Sequence, residues 1–124
     1  MADEQLLHRQ VHPSWVQDGR VTSQAFGPTP KDDGLLSVYD GAQMAPEPSY
    51  LHYTLEQCLS AIGTVSVTAG EVDAVGLPWR PDPEPFPEHA VIDFTVLPTA
   101  GKVKAKAQAL AEKARQRGWT YLSS

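Results

Sequence analysis

The chain has 124 residues, with 10 Lys and Arg against 15 Asp and Glu, 41% apolar residues, 11 Pro, 9 Gly and 1 Cys. That length makes one domain, residues 1–124, able to bury a core without staples, and a single Cys excludes an internal disulfide framework. A net charge of −5 argues against nucleic-acid binding, no run approaches the ~20 apolar residues of a membrane helix, and Met1-Ala2-Asp3-Glu4 lacks the basic and apolar regions of a signal peptide, so a cytoplasmic protein is expected.

The first predicted strand is Leu6–Val11, stopped by Pro13, whose ring removes a ladder donor. Alternation places Leu7, Arg9 and Val11 on one face and Leu6, His8, Gln10 and His12 on the other. Gln17-Asp18-Gly19-Arg20 reads as a turn, because Asp-Gly tolerates positive φ, and a second strand is expected over Arg20–Phe26. The stretch from Gly27 to Gly34 is dense in breakers, and a third strand follows at Leu35–Tyr39.

Leu51, Leu55, Cys58, Leu59 and Ile62 recur at helical spacing and predict a helix from Pro46 to Ala61 that buries this stripe, Cys58 included. Thr64–Thr68 predicts a strand, and Thr68-Ala-Gly-Glu71 has capping-box spacing for a short helix over Ala69–Val75. Residues 77–88 hold five prolines and read as an extended, ordered strap with Trp79 and Phe86 to pack. A strand is expected at His89–Val96, with Ala90, Ile92, Phe94 and Val96 on one face. A basic helix over residues 99–118 follows, with the small-residue stripe Val103, Ala107, Leu110, Ala111, Ala114 and Gly118 as its stop; Trp119–Leu122 closes as an edge strand. The expected fold is α+β: a mixed or mostly antiparallel sheet of five to six strands, with two amphipathic helices on one face.

Charge is unevenly spread, because residues 101–124 carry six basic and one acidic residue while residues 1–100 carry four and 14. This reads either as a solvated helix face docked on an acidic body or as a basic patch for an acidic partner. Four histidines and one Cys offer no metal spacing: His8 and His12 on a strand stand ~13 Å apart, so no metal and no cofactor is expected. His8 and His52 read as surface or partly buried residues. His89, where the strap enters a strand, can act as acid or base, or can hydrogen-bond the strap backbone. Arg9, on an apolar face, needs a carboxylate, solvent or an anionic ligand. Ser23 has no nucleophile elbow, and a Ser23–His89–Asp93 triad fails because His89 and Asp93 are ~13 Å apart on one strand.

The segments Leu7-His-Arg-Gln-Val-His-Pro13, Val21-Thr-Ser-Gln-Ala-Phe26, Leu36-Ser-Val38 and Glu88-His-Ala90 resemble a short bacterial family to which no activity is attached. The resemblance covers about the first 95 residues and transfers no catalytic residue. The order Arg9, Ser23, then Glu47 or Glu71 also resembles, in order only, that of ADP-ribosyl-transferring folds. The expected function is an accessory module acting through a protein partner, with contact at the strap (Trp79, Arg80, Phe86) or the basic helix (Lys102, Lys106, Lys113). Self-association is left open. The alternative is a small enzyme or anion-binding domain using Arg9, Ser23 and His89.

Overall fold

The computed structural model describes residues 4–28, 33–84 and 86–123. Met1-Ala2-Asp3, Thr29-Pro30-Lys31-Asp32, Pro85 and Ser124 lie outside the described residues. Eight strands and three α-helices follow in chain order: β1 (Leu6–Val11), β2 (Val16–Gln17), β3 (Arg20–Val21), β4 (Leu35–Asp40), α1 (Pro46–Leu51), β5 (Gly63–Thr68), α2 (Ala69–Ala74), β6 (Trp79–Pro81), β7 (His89–Asp93), α3 (Ala100–Arg117) and β8 (Tyr121–Leu122). Six strands form one antiparallel sheet in the order β6-β7-β4-β1-β5-β8, and β2 and β3 form a separate hairpin. The fold is α+β. Among the described residues, no helix is long and apolar enough to cross a membrane.

One sheet face is apolar. Leu7, Val11, Leu36, Val38, Val65, Val67, Ala90 and Ile92 alternate onto it and are buried. α3 covers this face with Ala107, Leu110, Ala111 and Ala114, whose small side chains let the helix lie close to the strands. Thr99 caps α3 by accepting from the Lys102 amide, and Gly118 at φ 86 ends it. Trp15, Trp79 and Trp119 pack around the rim of this core.

The hairpin turn is built by Asp18 (φ 53) and Gly19 (φ 78), the two positive angles that match the strand twist. The strand expected over Arg20–Phe26 stops at Val21. Ala25 and Phe26 are both fully buried, which neighbouring strand residues on one buried face cannot achieve, and a 3-10 turn over Ser23–Phe26 turns both inward. The strand expected over His89–Val96 stops at Asp93, whose carboxylate takes the Thr95 amide in an Asx turn and leaves Val96 54% exposed. Within the strap, Trp79–Pro81 pairs with β7 as an edge strand, a position that tolerates proline.

The other sheet face is polar and is covered by α1, so the two principal helices lie on opposite faces instead of sharing one. Gln10 donates to Ser49 Oγ of α1 over 2.8 Å, and Gln10 Oε1 accepts from Thr64 Oγ1 over 2.6 Å. Since α1 meets the sheet through Ser49, the expected apolar stripe turns outward: Leu51, Leu55 and Leu59 are 41%, 70% and 49% exposed. The long helix expected to Ala61 ends early. It widens into a π turn over His52–Glu56, and Cys58 then adopts φ 56. Cys58 is exposed and does not sit in the core.

Candidate functional site

β1 and β4 pair only at Leu7–Asp40 and His8–Tyr39, although β1 continues to Val11 and β4 begins at Leu35. Where the ladder ends, the Arg9 side chain supplies the missing donors. Its Nη1 donates to the Ser37 carbonyl over 2.9 Å and its Nε to the Ala25 carbonyl over 2.6 Å, with the guanidinium 5.1 Å from the centre of the Trp15 ring. Backbone carbonyls and an aromatic face therefore answer the charge that the apolar strand face posed.

Above this parting lies a cavity of 160 Å³. It is lined by His8, Arg9 and Gln10 of β1, Ser37, Val38 and Tyr39 of β4, Tyr53, Gln57 and Leu59 from the segment after α1, and Phe86 and His89. Phe86 stacks on Tyr39 with centroids 5.0 Å apart and tilts against His52 at 4.4 Å. The Tyr39 hydroxyl is hydrogen-bonded to His52 Nδ1 at 2.7 Å; burial, reinforced by Tyr53, Glu88 and Glu56, holds the phenol protonated well above its ordinary range. His8 is fully buried, not a surface residue. Its Nε2 donates to the Met44 carbonyl over 3.0 Å and its Nδ1 faces Ser66 Oγ at 2.7 Å, while burial depresses its pKa against the raising effects of Met44 and Asp40.

Ser37, His89 and Asp82 form a hydrogen-bonded grouping. The His89 Nδ1 lies 2.9 Å from the Asp82 carbonyl oxygen, and a carbonyl can only accept. The Nδ1 therefore carries the proton of the neutral ring, and the Ser37 hydroxyl donates to Nε2 over 3.0 Å. The Asp82 carboxylate adds an oxygen 3.7 Å from Nδ1. The Asp82 amide in turn donates to the His89 carbonyl over 2.9 Å, and the Phe86 ring meets the imidazole edge-on at 5.3 Å. Strand pairing sets this up: β4 and β7 oppose Tyr39 with His89, which puts Ser37 diagonally within reach of the imidazole.

Of the residues singled out from the sequence, Arg9 and His89 line the same cavity. Ser23 does not; it begins the 3-10 turn and borders two other clefts. His12 caps the turn at Pro13–Trp15 by accepting from the Ser14 amide. Glu47 and Glu71 are not among the cavity residues, and Glu71 pairs with both Arg117 nitrogens at 2.9 and 3.1 Å; burial opposes its ionisation, but the Arg117 and Thr68 hydrogen bonds together with the Arg117 and Lys113 charges outweigh it and lower its pKa. Trp79 packs on the core and Arg80 pairs with Asp93 at 3.1 Å, while Phe86 folds into the aromatic cluster. Lys102 and Lys113 are exposed and Lys106 is half-buried, whereas Arg115 and Arg117 fold back to donate to the Val21 and Ser66 carbonyls. Sequence reasoning missed Ser37, Asp82, Tyr53 and Gln57. The one available signal was the shared alternation of Ser37 and Tyr39 in a strand able to pair antiparallel with the one that starts at His89.

No protein-family model matches the chain, and no curated protein or solved structure matches it either, so the resemblance to a bacterial family gains no support from them.

Proposed function

We propose that this chain binds a small organic molecule with one apolar end and one carbonyl-like end in the cavity between β4, the π turn and Phe86. The carrying observation is that Ser37 and His89, hydrogen-bonded at 3.0 Å, both line a cavity in which Val38, Leu59, Phe86 and the Tyr39 and Tyr53 rings stand beside the polar His8, Arg9, Gln10 and Gln57. Apolar walls with a few convergent polar groups are the usual composition of a ligand site. A volume of 160 Å³ suits a molecule built on a single ring, since a cavity of about 150 Å³ holds benzene. Nitrogen-15 NMR titration with benzamide is the test. Amide shifts clustered at Ser37, Tyr53, Leu59 and Phe86 are the expected result; no shifts, or shifts scattered over α3 and the β2–β3 hairpin, would overturn the reading.

A second reading, a module acting through a protein partner, draws on a different observation. Leu51, Leu55 and Leu59 expose apolar surface on one short stretch of chain, the composition of an interface core. Sedimentation at rising concentration tests a second copy as that partner: Leu55→Glu should abolish any self-association while leaving thermal stability unchanged. A purely monomeric wild-type chain would remove self-association from this reading. A free, exposed Cys58 suits a reducing, cytoplasmic setting.

A further inference from the structure

Resting on the cavity reading above, we propose that Ser37 is an acyl-accepting nucleophile, with His89 as its general base, acting on small activated esters. The direction of the hydrogen bonds carries this. Because the Asp82 carbonyl occupies the Nδ1 proton of His89 at 2.9 Å, the Nε2 lone pair is left facing the Ser37 hydroxyl at 3.0 Å, the polarity a base needs to take that proton. The imidazole is held on three sides: by the Asp82 carbonyl, by the edge-on ring of Phe86, and by its place in β7. The Asp82 carboxylate, 3.7 Å from Nδ1, stabilises the imidazolium once it forms. Ser37 itself is exposed, borders the cavity, and has its carbonyl pinned by Arg9, so Arg9 is a positioning residue.

The step balances with water as the second substrate. Ser37 Oγ bonds to the ester carbonyl carbon while its proton passes to His89 Nε2. The tetrahedral adduct collapses, the ester C–O bond breaks, and the departing alcohol oxygen takes the proton from Nε2. Water then attacks the acyl-serine, giving a proton to Nε2, and the carboxylic acid leaves as Ser37 regains its proton. Tyr53 and Gln57 also line the cavity, and their O–H and N–H groups are of the kind that donates to a developing oxyanion. Ser37 sits within a strand and not at a turn followed by a helix, the setting that supplies paired backbone amides to such an oxygen. This weaker stabilisation is why the substrate class is esters with good leaving groups and not amides.

The test uses the full chain, an alkyl fluorophosphonate and, separately, 4-nitrophenyl acetate, read by intact mass and peptide mapping. A single adduct on Ser37, absent in Ser37→Ala, is expected. The labelling rate should fall about 100-fold in His89→Gln. Asp82→Asn keeps the backbone carbonyl, and its rate should fall by less than His89→Gln; circular dichroism confirms that each variant folds. No adduct on Ser37, an adduct confined to other residues, or a Ser37 rate insensitive to His89 would overturn the nucleophile. If benzamide still shifts the cavity amides in that case, the binding reading stands alone; if it does not, both fall.

Discussion

Gln10 of β1 and Ser49 of α1 are hydrogen-bonded at 2.8 Å with both residues buried, and this contact lays α1 on the polar face of the sheet. The chain of bonds runs on in both directions, from the Thr64 hydroxyl into Gln10 and from the Ser49 hydroxyl to the Pro46 carbonyl. Removing the middle member strands the buried Thr64 hydroxyl and takes a donor from Ser49, whose hydroxyl keeps the Pro46 carbonyl. Gln10→Ala should cost about 2–3 kcal/mol, seen as a lower urea midpoint with an unchanged slope. Leu55→Ala, on the outward face of the same segment, should change stability by less than about 0.5 kcal/mol.

His8 gives the fold a dependence on pH whose sign follows from burial. Its folded-state pKa lies below the 6.5 of an unfolded histidine, so the unfolded chain binds the extra proton first. The stabilisation is fully present above pH 6.5 and is lost as the pH falls from there through the lower, folded-state value. Melting temperature measured across that window should fall on acidification. His8→Gln, which keeps polar contacts without a titrating ring, should flatten the curve.

Where β1 and β4 part, Arg9 replaces ladder hydrogen bonds with its own. A lysine cannot reach two carbonyls from one planar group or lie flat on Trp15. Arg9→Lys should therefore destabilise by about 2 kcal/mol despite keeping the charge. Hydrogen exchange should quicken first at the amides of β4 near Ser37.

Two glycines offer a matched contrast. A Cβ on Gly63 would sit 2.7 Å from the Tyr121 carbonyl and 2.9 Å from the Trp119 ring, whereas a Cβ on Gly27 meets nothing nearer than 3.6 Å. Gly63→Ala should cost about 1–3 kcal/mol by pushing β8 off the sheet edge, and Gly27→Ala should lie within about 0.5 kcal/mol of wild type. Chemical denaturation of both variants checks the pair.

Much of the scaffold was legible because it rests on local chemistry. Alternation located β1, β4 and β5, capping-box spacing located the start of α2 through Thr68 and Glu71, and the small-residue stripe located α3. What was not legible depends on partners distant in the chain. His8, Gln10, Thr64 and Ser66 alternate like a solvent-facing strand surface, yet they are buried because they satisfy one another and Ser49. The leucine stripe assumed a period of 3.6 residues, which the π turn and the left-handed Cys58 interrupt. Ser37 looked like any strand serine; only the register of β4 against β7 gives it an imidazole neighbour.

The chain holds one thiol, and Cys58 carries it into solvent between Gln57 and Leu59, two residues of the cavity wall. Nature has thereby supplied a single attachment point for a maleimide dye at the rim of the chamber. Without any engineered mutation, the brightness of such a dye becomes a gauge of whatever enters or leaves, and its emission colour reports how dry the entrance is.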